Sequence, residues 1–366
     1  MITTDVVTGV LLCLMAAVPV LGLLIAGLRG TRRLRQRGRE RIAAPVRPLL
    51  LELLCAEEDE QDELLSRFAA LDRRTWAALE PTVAEMLGKV DGAARTVLVR
   101  LYGLRGAAAD AEAELDARSA PRRGRAAETL GRLRHRPAVP ALCRLLADRD
   151  AEVRLVAARA LGRIGEPSAV PALLEALHGP RNVPPAVVTR ALTSFGAQTL
   201  RSVAAGMDHP EPLVRAVAIE VLGASGGVPQ TPGIVRALAE DPHPEVRIKA
   251  ARALGRLGMP DGLQPLLAAV GPGRPTALRI VATGALGTLG AVAATPRLQD
   301  LLGDSEPRVA ATAARSLLRL GPAGETALRA AAEDRPDQPA AAQARSALAE
   351  SAVAGSILDV RVEVAM

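Results

Sequence analysis

The sequence predicts an all-α protein, an α-solenoid of about eight to nine helical-hairpin repeats of ~31 residues preceded by one transmembrane helix. Apolar residues make up 49% of the 366 residues, yet only one Trp, one Tyr and two Phe are present. The apolar share is mostly Ala, Leu and Val, which suits close-packed helices. One sequence pattern recurs at a nearly constant interval, which predicts stacked repeats. An uncharged run near the N-terminus is long enough to cross a membrane.

The uncharged run extends from Val6 to Leu28, and a helix of that length spans the ~30 Å hydrocarbon core. A cleaved signal peptide is the alternative, but it needs a basic N-terminal region that residues 1–5 (MITTD) lack. Eight arginines follow in residues 29–47, and positive residues beside a membrane helix stay in the cytoplasm. We therefore expect a single-pass protein of the cytoplasmic membrane, with residues 1–5 outside, a transmembrane helix at 6–28 and the solenoid in the cytoplasm. The Arg-rich juxtamembrane segment 29–47 is expected mainly to set this topology, and also to contact anionic lipid.

The repeat is clearest where residues 152–165 (EVRLVAARALGRIG) are matched by residues 245–258 (EVRIKAARALGRLG). Each unit contains an anchor leucine, and the equivalent positions, 30 to 32 residues apart, are Leu130, Leu161, Leu192, Leu222, Leu254, Leu286, Leu317 and Leu348. A weaker ninth unit precedes them at residues 94–106. Each unit is predicted to form two helices, and so short a hairpin buries its apolar faces only by stacking on its neighbours. The repeats therefore predict a solenoid over residues 91–350.

Two flanking segments do not follow the repeat. Residues 48–90 are predicted to form a helical N-terminal cap, with Phe68, Trp76 and Leu79 covering the first repeat. Residues 351–366 form a C-terminal tail in which apolar and polar residues alternate from Ile357 to Val364, as is typical of a short edge strand. Two roles stay open for this tail: binding a partner by strand addition, or folding back or remaining loose.

The repeat motif consists of Asp-x5-Arg with Val before the Arg, followed by Ala-Ala-Arg-Ala-Leu-Gly-x-Ile/Leu-Gly. It is complete from Asp148 and from Asp241, and Ala310 replaces the Arg near Asp304. This pattern resembles bacterial HEAT-repeat proteins, in particular the short HEAT-like repeats of the phycobilisome (PBS) lyase type. The resemblance implies an α-solenoid in which the Asp and Arg form a structural ladder between successive repeats, here Asp148, Arg154, Arg215, Asp241 and Arg247.

No motif for catalysis is present in the sequence. There is no phosphate loop, no nucleophile elbow and no Cys/His pair. Two of the four histidines, His209 and His243, occupy equivalent turns of successive repeats, but no tight ligand spacing accompanies them. We therefore expect no metal, no cofactor and no enzymatic activity. The cysteines lack paired spacing and are predicted to be buried free thiols in a reducing compartment: Cys13, Cys55 and Cys143.

Arginines recur two residues before and two residues after the anchor leucine. We name this set the Arg stripe: Arg132, Arg159, Arg163, Arg190, Arg252, Arg256, Arg315 and Arg319. By resemblance, the helix that carries them lines the concave surface of the solenoid. Stacked arginines there predict a positive trough for an acidic peptide, a phosphate group or lipid headgroups. An ordinary solvated helix face is the alternative, because the stripe is interrupted by Glu220, Ala224, Gly284 and Thr288.

These observations predict a non-catalytic, membrane-anchored protein–protein interaction scaffold. Its partner is expected to be an acidic or membrane-associated protein, for example an envelope-synthesis enzyme. The alternative is a nucleic-acid-binding HEAT-like protein, since some HEAT-like proteins are DNA glycosylases. That alternative is disfavoured because 38 basic and 39 acidic residues remain outside residues 29–47. The sequence does not indicate an oligomeric state.

Overall fold

A computed structural model describes residues 37–38 and 40–365, which fall into two compact units divided between Asp110 and Ala111. Helices connected by turns account for the described residues, and no β-strand occurs among them. The predicted all-α class is therefore confirmed for this part of the chain.

Within the described residues, the first unit includes the helices α1 (Arg47–Cys55), α2 (Glu58–Ala69), α3 (Arg73–Leu87) and α4 (Gly92–Leu104), which follow helical residues at 40–43. Helix α3 begins at an N-cap, because the Asp72 carboxylate accepts hydrogen bonds from the backbone N–H groups of Arg74 and Thr75. Three residues of this unit were predicted to cover the first repeat. Phe68 and Leu79 are buried, and Trp76 meets the Tyr102 ring edge to face. The apolar spacing of these helices thus produces a core of the unit's own.

Helix α5 (Ala107–Glu114) contains the division, and the second unit continues as alternating longer and shorter helices. The longer helices stack on one another in chain order and form a first layer: α6 (Ala120–Leu133), α8 (Ala151–Ile164), α10 (Pro185–Thr193), α12 (Pro212–Ala224), α14 (Pro244–Leu257), α16 (Thr276–Leu289) and α18 (Pro307–Arg319). The shorter helices form a second layer: α7 (Val139–Leu145), α9 (Val170–Glu175), α11 (Leu200–Ala204), α13 (Thr231–Glu240), α15 (Leu263–Ala269), α17 (Thr295–Asp300) and α19 (Pro322–Asp334). The last helix, α20 (Pro339–Ala365), packs on α18 and α19.

The anchor leucines form the core between the layers. Leu161 and Leu254 are completely buried, and the anchors from Leu130 to Leu317 are all at most 1% exposed. Leu348 is half-buried in α20, where the hairpin pattern ends. The helical face predicted from Val153 and Ala157 is likewise buried, so 3.6-residue periodicity identified the packed side of these helices.

The glycine that follows the anchor leucine lies inside a first-layer helix and sets how closely the next helix approaches. A Cβ atom on Gly255 would lie 2.8 Å from both Cα and Cβ of Ala285. Gly131, Gly162 and Gly223 face Ala160, Ala191 and Ala253 in the same way. The Leu-Gly step is therefore a close-packing element inside the helix.

Several first-layer helices end on a residue in the left-handed backbone region. Gly165, Gly258 and Gly290 take this position with φ of 71°, 67° and 74°. Such caps favour glycine because a Cβ atom is strained there. Arg134 occupies the equivalent end of α6 with φ of 52°, although it is not glycine.

The predicted single-pass membrane localisation is wrong for the described part of the chain. No helix in residues 37–38 and 40–365 is both long and apolar enough to cross a membrane. Of the helices with described bounds, those before α20 have at most 15 residues, and α20 contains charged residues at five positions, from Arg345 to Glu363. The predicted external segment 1–5, the predicted span at 6–28, and residues 29–36 and 39 of the Arg-rich segment lie outside the described residues.

Two smaller expectations also change. Residues 351–365 continue α20, so the predicted edge strand at Ile357–Val364 is wrong. The segment has no proline after Pro339 to stop the helix, and eight alternating residues were too few to establish a strand. Cys55 is exposed and Cys143 is half-buried, so neither thiol is fully buried as expected.

Candidate functional site

The Arg stripe lies on first-layer helices of the second unit. Helices α6, α8, α10, α14 and α18 carry its members, and α12 and α16 interrupt it with Glu220, Ala224, Gly284 and Thr288. Arg132 is half-buried and the other seven are exposed: Arg159, Arg163, Arg190, Arg252, Arg256, Arg315 and Arg319. The exposure follows from helical geometry, since positions two residues from the buried anchor leucine point away from the core.

Members of the stripe differ in their partners. Both Arg132 and Arg163 bind the Glu128 carboxylate, at N–O distances of 3.0 and 2.8 Å. Arg315 donates to Thr312 on its own helix, and Arg319 donates to the Thr288 hydroxyl on the neighbouring helix. The side chains of the remaining four have no hydrogen bond or ion pair with any residue that the structure describes: Arg159, Arg190, Arg252 and Arg256.

Glu128 stays ionised between its two arginines. Burial raises the pKa of Glu128, but hydrogen bonds and charge attraction from Arg163 and Arg132 outweigh burial and hold the pKa below its ordinary value. The carboxylate therefore neutralises part of the stripe at its N-terminal end and holds Arg163 in place.

A groove of about 540 Å³ runs between α6 and α8 beside the stripe. Pro121 and Val156 supply apolar surface, and the pair Arg159 and Arg163 forms part of its wall. The other lining residues are Ala120, Gly124, Arg125, Glu128, Asp150, Glu152 and the buried Val153. The groove thus combines apolar surface with three guanidinium groups and three carboxylates, and Arg159 is the wall arginine without a side-chain partner in the described part of the chain.

The ladder residues lie at the turns that connect second-layer helices to the following first-layer helices. Nε and Nη2 of Arg215 donate to the two carboxylate oxygens of Asp241 at 2.8 and 2.9 Å, while Nη1 donates to the carbonyls of His209 and Pro210. Burial raises the pKa of Asp241, but the hydrogen bonds that its carboxylate accepts from Arg215 and from the backbone N–H of His243 lower the pKa by more, so the net shift is downward. One buried, bidentate ion pair therefore ties α12 to the turn that precedes α14.

We call such an Arg–carboxylate ion pair between successive repeats a rung. Two further rungs involve arginines that the sequence interpretation missed. Arg123 on α6 binds both carboxylate oxygens of Asp148 at 2.8 Å, and Arg279 on α16 binds Asp304. Arg123 precedes Arg154 by 31 residues, so the repeat interval was a signal that could have identified it. The carboxylate of each rung comes from the turn after the second-layer helix and not from the turn that begins the arginine's own helix.

Arg154 and Arg247 are ladder arginines without an aspartate. Arg154 donates through Nη1 to the carbonyl of Asp148 at 2.8 Å, so it contacts the backbone of Asp148 and not its carboxylate. The Nε atoms of both arginines are buried and have no hydrogen-bond partner among the described residues. The turns that would supply their aspartates contain Gly179 and Gly273 instead, each with positive φ.

Two histidines form a cluster that the sequence interpretation did not identify. His178 and His209 lie with ring centroids 5.5 Å apart, and their Nε2 atoms are 2.8 and 3.2 Å from the two carboxylate oxygens of Glu175. His243, which occupies the turn equivalent to that of His209, is exposed and does not join this cluster. We name Glu175, His178 and His209 the His–Glu cluster; it is the group of residues with metal-ligand geometry in the part of the chain that the structure describes.

Residues 108–194 and 197–275 match the family model of HEAT repeats. These residues are therefore similar to HEAT repeats, in agreement with the resemblance predicted from the sequence. A search among curated proteins finds no match.

Several solved structures are similar to this chain, and three of them follow. The complex of CpcE and CpcF of phycocyanin lyase from Nostoc sp. PCC7120 is 25% identical, with 66% of this chain and 94% of that chain covered and a TM-score of 0.31. Human deoxyhypusine hydroxylase is 18% identical, with 77% and 98% covered and a TM-score of 0.31. Kap121p bound to Nup53p is 14% identical, with 82% and 40% covered and a TM-score of 0.45.

Proposed function

Because residues 108–194 and 197–275 are similar to HEAT repeats, we propose that this chain is a non-catalytic protein–protein interaction scaffold whose Arg stripe binds an acidic segment of a partner protein. Stacked helical hairpins present long, continuous helix surfaces, which suit binding of an extended chain. The proposal depends on the second unit alone, since the stripe and the groove both belong to it.

The observation that carries the proposal is the set of four exposed arginines without partners. Arginines such as Arg123 and Arg215 are held by carboxylates, whereas other exposed arginines, such as Arg144 and Arg201, also lack side-chain partners among the described residues. What distinguishes the four is their common place in the Arg stripe on first-layer helices. A guanidinium binds a carboxylate through two parallel hydrogen bonds, which adds geometric specificity to the charge attraction. Acidic side chains spaced along a peptide would satisfy Arg159 and Arg190 on neighbouring helices, and Arg252 with Arg256 further along.

The groove between α6 and α8 supports the choice of a peptide as ligand. Pro121 and Val156 would contact an apolar side chain, and Arg159 at the wall would bind an adjacent carboxylate. A ligand with charge alone would leave the apolar lining unused. The preferred ligand is therefore a segment that alternates acidic and apolar residues.

Fluorescence anisotropy of a labelled Glu-Leu repeat peptide tests this proposal with the purified full chain. The test variant changes the four unpaired arginines to glutamate: Arg159→Glu, Arg190→Glu, Arg252→Glu and Arg256→Glu. The control variant makes the same charge change on exposed arginines of the second layer: Arg144→Glu, Arg201→Glu, Arg236→Glu and Arg329→Glu.

We expect the test variant to bind the peptide at least about tenfold more weakly than the wild type and the control variant to bind within about threefold of it. Equal weakening in both variants would show a net-charge effect and contradict the proposal. A labelled thymidine oligonucleotide that binds more tightly than the peptide would favour nucleic-acid binding instead.

A further inference from the structure

The His–Glu cluster links two successive repeats. Glu175 is the last residue of α9 and His178 follows it in the next turn, whereas His209 lies in the turn between α11 and α12. Their side chains are 61%, 37% and 19% exposed, so the ligand atoms can be reached from solvent without unfolding. Ligand atoms of the three residues all lie within 4.8 Å of one another.

We propose that Glu175, His178 and His209 bind a divalent transition-metal ion, Zn²⁺ in the first instance, which joins the two repeats. Two imidazole nitrogens and a carboxylate oxygen are a common ligand set for Zn²⁺, at bond lengths of about 2.0–2.2 Å. Tetrahedral bonds of that length place neighbouring ligand atoms roughly 3.3 Å apart. The carboxylate oxygens now lie 2.8 and 3.2 Å from the two Nε2 atoms, so the side chains need only small rotations to accept the ion.

The fourth position of such a site would be filled by water. The described residues offer three ligands to this point, and the exposed Glu175 side chain leaves it open on one side. A Zn²⁺ ion with three protein ligands and an open position differs from a closed structural site with four. The ion would therefore both link the repeats and remain accessible to an additional ligand.

The hydrogen bonding of His209 predicts what metal binding changes. The backbone N–H of Glu211 donates to Nδ1 of His209 at 3.1 Å, so the neutral ring carries its proton on Nε2, facing Glu175. A metal on Nε2 requires the proton to move to Nδ1, and the Glu211 N–H must then bind water. Glu211 is exposed at the start of α12, so water can replace this hydrogen bond.

Isothermal titration calorimetry of the EDTA-treated full chain with ZnCl₂ tests the proposal, and the absorption spectrum of the Co²⁺ form provides an independent readout. His178→Ala and His209→Ala each remove one ligand. His135→Ala is the matched control, because His135 also contacts a glutamate, Glu112 at 2.9 Å, but has no second histidine beside it. Far-UV circular dichroism of each variant checks that the helices are retained.

We expect one Zn²⁺ per chain in the wild type and in His135→Ala, with visible Co²⁺ bands that EDTA removes. Each ligand variant is expected to lose roughly tenfold or more in affinity, since loss of groups that merely orient a ligand already costs that much. Absence of binding in the wild type, or unchanged affinity and Co²⁺ bands in both ligand variants, would overturn the proposal. Equal loss in His135→Ala would overturn it too.

Discussion

Replacing Gly255 by alanine separates the cost of close helix contact from the gain in helix propensity. The new methyl group would lie 2.8 Å from Cα and Cβ of Ala285 and 3.0 Å from its carbonyl oxygen. Two of those three atoms belong to the backbone, so no side-chain rotation relieves the contact. Helices α14 and α16 would have to move apart, and overpacking of this kind costs about 1–3 kcal/mol.

Gly284→Ala is the matched control on the neighbouring helix α16. Its Cβ would lie 3.6 Å from the nearest atom, the Cγ2 of Thr312, which is an ordinary contact. Both substitutions gain about 1 kcal/mol of helix propensity. This gain cancels in the comparison, so Gly255→Ala should be less stable than Gly284→Ala by the overpacking cost, about 1–3 kcal/mol.

Urea unfolding followed by circular dichroism at 222 nm measures the difference, with thermal midpoints as a second readout. At this chain size each kcal/mol corresponds to about 2–4 °C in Tm. We expect Gly284→Ala to unfold above the wild type and Gly255→Ala to unfold at or below it. If Gly255→Ala were as stable as Gly284→Ala, the assignment of the Leu-Gly glycine to close helix packing would be wrong.

Two further predictions concern a ladder pair and a helix cap. The pKa of Asp241 is lowered in the folded state, so the pair with Arg215 stabilises the protein above the unfolded pKa of about 3.9 and loses that effect as the pH falls through the lower folded value. Asp241→Asn should therefore lower the free energy of unfolding by about 3–5 kcal/mol at pH 7 and make stability depend less on pH in acid. Asp208→Asn, at a carboxylate 77% exposed, should lower it by less than about 1 kcal/mol. Equal losses in the two variants would refute the assignment of a buried ion pair to Arg215 and Asp241. Arg134→Gly should raise stability by about 1 kcal/mol because it removes a Cβ from a residue with φ of 52°, and Arg134→Ala, which keeps that Cβ, should not; equal urea midpoints for the two variants would contradict it.

Much of the second unit was predictable because its repeat is strong and its helices are amphipathic. The repeat interval identified anchor leucines such as Leu161 and Leu254, which are completely buried. Gly165 lies at the end of a helix. These features are local consequences of residue size and backbone freedom, which the sequence contains directly.

The partners of charged side chains were less predictable, because they depend on distances between repeats. The motif places Asp148 six residues before Arg154, and the sequence interpretation assigned both to the ladder without identifying Arg123. In the structure the Asp148 carboxylate binds Arg123, and Arg154 takes only a backbone carbonyl. The segment around Arg123 departs from the motif, so only the interval identified it.

The His–Glu cluster shows the same limit. The sequence places His209 and His243 in equivalent turns and gives no sign that His178 lies beside His209. The turn after α9 is longer than its counterparts, however, and it brings His178 to His209. Turn length is visible in the sequence, but the direction in which a longer turn places its side chains is not.

Only some successive repeats in the described part of the second unit are joined by an Arg–carboxylate ion pair. The joints between repeats should therefore differ in how easily they open under mechanical force or by local unfolding. Joints with an Arg–carboxylate rung, such as Arg215 with Asp241, must break a buried ion pair before their helices part. The joints at Arg154 and Arg247 lack that carboxylate and leave a buried Nε unsatisfied. Under mechanical force, or in amide hydrogen exchange, the stack should therefore open more readily at joints without a rung, such as those at Arg154 and Arg247, than at joints with one.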